Sequence, residues 1–135
     1  MRPSHPVFRL AILFAGITLA ACGDSTSPKK ADLTGVWTLR SVDGVSVDAA
    51  PPAGADTYLR VHEQLTLQST GAFQDFVRDD EIDVASGAVV TSDSTTFTGT
   101  WTYDGVTLHR LHDAIDEEGG LLGDTLRVGT SAFTR

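Results

Sequence analysis

From residue 33 onward, apolar and polar residues alternate with the period of two that marks half-buried β-strands. Between Gly35 and Asp43, Trp37 and Leu39 fall on one face and Thr38 and Arg40 on the other, before Asp43-Gly44 turns the chain. Over residues 58–68, Leu59, Val61, Leu65 and Leu67 share a face opposite Arg60, His62, Gln64, Thr66 and Gln68. Between residues 88 and 103, Phe97, Gly99, Trp101 and Tyr103 oppose a row of threonines, aromatics on the dry side and hydroxyls on the wet one. Asp104-Gly105 is a hairpin signal, with residues 106–111 returning antiparallel. In residues 72–78, Phe73 and Phe76 are out of phase, and a bulge between them would bring both to one core. Short strands at 121–122, 125–128 and 131–135 complete the pattern. Eight or so strands with no helical period and no repeat predict an all-β fold, a small antiparallel meander barrel, because closure removes exposed sheet edges.

The departures from alternation carry the candidate chemistry. Glu63 falls on the apolar face of its strand, where an unpaired carboxylate is costly and has its pKa raised. Either it anchors a ligand inside a cavity, or a bulge turns it outward or an arginine pairs with it. Residues 45–57, rich in Ala, Pro and Gly, read as a long first loop. Residues 79–83 carry four acidic side chains, which suit a hard cation, but they lack the alternating ligands and central glycine of an EF-hand and read as a solvated loop. His109 and His112 invite a zinc reading. Three residues apart on a strand, however, they point to opposite faces, and no third ligand stands out. Residues 116–120 read as an acidic surface turn.

The N-terminus has the layout of a secretory signal. Arg2 and Arg9 form a basic region, an apolar run covers residues 10–18, and Leu-Ala-Ala-Cys ends at Cys22. The last four residues resemble the bacterial lipobox. That resemblance implies cleavage before Cys22, a diacylglycerol on its sulfur and a fatty acyl group such as palmitate on its amine, and more than one acyl chain gives stable membrane attachment. The reading divides the chain into a signal peptide at 1–21, a lipidated Cys22 with a polar tether through residue 32, and one domain at 33–135. About ten tether residues give a mean reach of roughly 17–20 Å. Gly23 after the cysteine resembles lipoproteins sorted to the outer membrane. Cys22 is the only cysteine, so the domain has no internal disulfide and depends on its core.

Gly35-Val36-Trp37 at the start of the first strand resembles the Gly-x-Trp signature of lipocalins and of shorter lipocalin-like bacterial lipoproteins. In that family the tryptophan closes the barrel floor beneath an arginine from the end of the chain. The resemblance implies a structural pair of Trp37 with Arg135, with Arg127 as the second candidate, and a binding cavity for a small apolar molecule or lipid, its wagered lining Glu63, Trp101 and Tyr103. The opening is also similar to META-type envelope domains, which would imply an α+β fold.

Composition narrows the classes. The formal net charge of −8 becomes −10 once Arg2 and Arg9 leave with the signal, and no cluster of Lys or Arg is present to bind phosphates, so nucleic acid is excluded as a partner. No Gly-x-Ser-x-Gly elbow or phosphate-cradling glycine loop occurs, and no enzymatic activity, metal or cofactor is expected. The remaining readings are a barrel that binds a small apolar molecule or lipid, and an envelope module with a side-chain-filled barrel that contacts another protein.

Overall fold

A computed structural model describes residues 28–135; the expected signal peptide, the expected lipidation site Cys22 and most of the segment read as tether lie outside them. After a one-turn helix α1 (Lys30–Leu33) come nine strands: β1 (Gly35–Val42), β2 (Val45–Ser46), β3 (Thr57–Leu67), β4 (Ala72–Asp83), β5 (Val89–Tyr103), β6 (Leu108–His112), β7 (Ile115–Leu122), β8 (Thr125–Val128) and β9 (Ser131–Thr134). Each of β3 to β9 pairs antiparallel with its neighbour in sequence, and β1 pairs with both β3 and β9. Eight strands therefore close into a meander barrel, as the alternation predicts, and β2 is an extra hairpin strand on β1. The described residues contain no helix beyond α1, which is not the α+β arrangement of the second resemblance.

One end of the barrel is packed solid. Trp37, Leu65, Leu67, Phe73, Trp101, Leu108, Leu126 and Phe133 meet there, and Leu33 plugs the floor with none of its surface exposed. The last residues read as tether are part of this floor. Lys29 and Asp32 cap α1 reciprocally, the Leu33 carbonyl accepts the Trp37 indole N–H at 2.8 Å, and Lys30 Nζ lies 4.9 Å from the Trp101 ring centroid. Order thus begins earlier than the polar composition indicates, because these residues have backbone and ring partners inside the domain.

Arg135 stacks on Trp37, its Cζ 4.4 Å from the ring centroid, and donates to the Asp32 carbonyl. Arg127 is exposed on β8. The Gly35 requirement is different from the one expected. A Cβ there would meet only Arg135 Nε at 3.9 Å, so space is not limiting; the φ of +140° is what calls for glycine.

Three local expectations are overturned. The acidic stretch at 79–83 is strand, the last part of β4, because its alternate residues pair with β3 and β5. Residues 116–120 are the middle of β7, and the turn before them falls at Asp113 and Ala114, both with positive φ. Phe73 and Phe76 are not reconciled by a bulge: β3 and β4 stay in register from Leu67↔Phe73 to Thr57↔Asp83, leaving Phe73 buried and Phe76 40% exposed on the outer face.

Removing the arginine side chain in Arg135→Ala should lower stability by roughly 0.5–2 kcal/mol, read as a shift in the denaturation midpoint. An unchanged midpoint would mean that the stack on Trp37 contributes nothing.

Candidate functional site: a cleft beside a buried arginine

Halfway along the barrel the inward side chains change from apolar to charged. Arg110 on β6 is only 7% exposed, with its Cζ 5.2 Å from the Phe73 ring centroid. Its Nη1 donates to Asp75 Oδ2 at 2.5 Å, and its Nε and Nη2 donate to Glu117 Oε2 at 2.9 and 2.6 Å. A buried guanidinium persists only when its donors are met in this way, since desolvating it costs several kcal/mol. His112, two residues along the same face, brings Nε2 to 3.4 Å from the same Glu117 oxygen and packs against Phe97 at 5.6 Å between ring centroids.

Glu63 lies on the inner face of β3 beside this cluster. The register sets Leu65 opposite Asp75 and Glu63 opposite Val77, so the Glu63 and Asp75 carboxyl groups are diagonal neighbours. Burial first, then the Asp75 charge and a hydrogen bond to Asp75, raise the Glu63 pKa from 4.5 to about 8. Burial also raises Asp75, against the pull of the Arg110 guanidinium. Asp75 Oδ1 is buried with no donor in the structure, and a proton on its diagonal neighbour Glu63 would meet it, while Arg110 holds Asp75 Oδ2.

Access to Glu63 comes through the wall of the barrel. Strand β1 pairs with β3 only from Gly35 to Thr38 and then follows β9, so the first half of β3 has no β1 partner. The long loop at residues 47–56 crosses this gap, held by the Val47 N–H to the Arg40 carbonyl at 2.9 Å. A cleft of about 330 Å³ opens there, with Leu39, Val47, Val61 and Phe76 beside a larger polar set that includes Glu63, Arg40, Asp48, His62 and Arg78. A second hollow of about 350 Å³ shares Val47 and Val61 with it and runs under the loop along Leu59, Ala50 and Pro52.

The predicted trio is divided. Glu63 faces a cleft, without the bulge that would turn it outward. Trp101 is 1% exposed, with its indole N–H donated to the Gln68 carbonyl at 2.9 Å, and belongs to the packed end. Tyr103 packs against that same core, and neither aromatic lines the two hollows. His109 and His112 lie on opposite faces of β6, His109 beside Asp116 at 3.4 Å, and His112 is an interior residue rather than an edge one. Among the described residues, no three His, Cys, Asp or Glu side chains converge to hold a metal ion.

Sequence reasoning missed Asp75, Arg110 and Glu117. Their signal was parity: Asp75 is two residues from Phe73, and Arg110 two from Leu108, each on the inner side. Comparison with protein families, curated proteins and solved structures finds no match to the chain.

The Glu63 proton makes stability depend on pH with a definite sign. Between about pH 4.5 and 8 the folded chain keeps a proton that the unfolded chain has released, so stability declines as pH rises through that window. Allowing for partial solvent access, the decline should amount to roughly 2–3 kcal/mol. Glu63→Gln, which cannot ionise, should flatten the denaturation profile over the same range; an unaltered profile would place the proton elsewhere.

Proposed function

We propose that the chain is a lipid-anchored envelope protein whose barrel binds a small amphipathic molecule in the cleft between β1 and β3. The observation that carries this reading is Glu63, a hydrogen-bonding carboxyl on the wall of a cleft that continues into an apolar hollow under the first loop. Ligand sites of a few hundred Å³ pair an apolar lining with one or two placed polar groups. The apolar part of the ligand would lie along Val47, Val61 and Leu59. Its polar head would meet Glu63, whose carbonyl oxygen is left to accept a hydrogen bond while its proton is turned toward Asp75. The lipobox resemblance supports attachment through acylated Cys22, and the Gly23 that follows it supports the outer membrane.

A second reading has its own support in the filled half of the barrel. With Trp37, Trp101, Phe73 and Phe133 wholly buried, no deep cavity is needed to explain the fold, and the domain would act through its outer surface on another envelope protein.

Native mass spectrometry of residues 28–135, exported and purified from the original host, should show a co-purifying small molecule whose affinity changes in Glu63→Gln. A bare mass that also fails to bind a lipid panel would move the reading to the surface module. In the full chain, Cys22→Ser should abolish incorporation of labelled palmitate and release the protein from the membrane fraction; retained label would refute the lipid anchor.

A further inference from the structure

Strand β5 is far longer than the strand beside it. It pairs with β4 along most of its length, but with β6 only from Thr100 to Tyr103. Its first eleven residues, Val89 to Gly99, therefore have no strand paired on the β6 side, although Leu111 lies against Gly99 and the His112 ring against Phe97. The direction of the backbone groups follows from the paired part. The Trp101 N–H is donated to the Gly71 carbonyl on the β4 side, and residues of an antiparallel strand alternate in the side they address, so Ser92, Ser94, Thr96 and Thr98 direct theirs to the open edge. At one of these the chain supplies a substitute partner: the Ser94 N–H is donated to the Asp93 carboxylate at 2.8 Å.

Open edges are ordinarily guarded by charged side chains, proline, bulges or short length. This one has a register irregularity between Val89 and Thr91 at its start and is otherwise lightly guarded. Residues 89–99 contain neither Lys nor Pro, Asp93 is their one charge, and residues 91–98 are all exposed, a run of roughly 25 Å at the rise of a strand. Charge selects the occupant. Asp93 stands directly opposite Asp79 on the inner face, with Glu81 two residues further along β4, and neither Asp79 nor Asp93 has an ion pair among the described residues. Like charges directly across a ladder repel, and a cation on the next strand would relieve them. A second copy brings more acid to a chain that is already at −8, whereas a basic segment brings the missing cation.

The geometry points to the β5 edge as a strand-addition site for an extended segment of another protein, with Lys or Arg at the alternate position that faces Asp93. Main-chain bonds to Ser92, Thr96 and Thr98 hold the added strand, and the Asp93–Asp79 pair sets its charge preference. The site lies on the other side of the β3–β5 wall from the Glu63 cleft and is independent of what that cleft holds.

The test uses residues 28–135 and two fluorescent octapeptides, one alternating Val with Lys and one alternating Val with Glu. The lysine peptide should bind and slow amide exchange at Ser92, Thr96 and Thr98, and the glutamate peptide should bind at least about tenfold more weakly. Thr96→Pro removes an outward N–H without taking a bond from β4 and should weaken the lysine peptide about tenfold while the barrel stays folded by circular dichroism. Should that variant unfold, Asp93→Asn decides instead by erasing the preference between the peptides. Equal binding of both peptides, binding without protection along β5, or a dimer in sedimentation that itself protects these amides would overturn the proposal.

Discussion

A guanidinium buried inside a small barrel imposes conditions on everything around it. Arg110 needs two carboxylates, and Asp75 and Glu117 reach it from β4 and β7, strands that lie on either side of the β5–β6 pair. With both partners committed, the third acid, Glu63, has no cation left for itself and keeps its proton instead. The cluster also fills the space above Phe73 that an empty barrel would offer to a ligand. Open volume is displaced sideways, to the gap where β1 leaves β3 and the first loop crosses over.

The strands with apolar inner faces were readable from alternation alone. Trp37 and Leu39, Leu65 and Leu67, and Trp101 are buried where a period of two puts them. The strands with charged inner positions were not. Asp79 to Asp83 and Asp116 to Glu118 look like solvated loops because acidic residues have little intrinsic strand preference, and what makes them strand is the ladder on either side. The site was hidden for the same reason. Arg110 stands between His109 and His112, which drew attention to metal chemistry, while the partners that explain it lie 35 residues upstream and 7 downstream. Glu63 was visible as a break in an apolar face, but the neighbour that sets its proton, Asp75, sits in a part of β4 whose phase was obscured by Phe76.

The two ends of the barrel do different work. At the floor, α1, Leu33, Trp37 and Arg135 leave little unpaired, and even Lys30 is drawn onto an aromatic face. At the other end the strands are of unequal height: β3, β4 and β5 run on as a wall while β6 to β9 stop short. Unpaired backbone and unsatisfied charge collect on that wall, so rigidity and binding capacity are separated along one axis.

Closure of the barrel also governs how the chain can fold. Strand β1 is completed by β9, Arg40 is bonded to Thr134 across 94 positions, and Arg135 reaches back 103 positions to Asp32. Contacts of that separation are slow to form, since the loop between them must lose its freedom before any pairing rewards it. The hairpins from β3 to β8 join near neighbours and can form first. The floor, by contrast, waits for β9 and Arg135, so a chain emerging N-terminus first keeps an open barrel until those residues can reach β1 and α1.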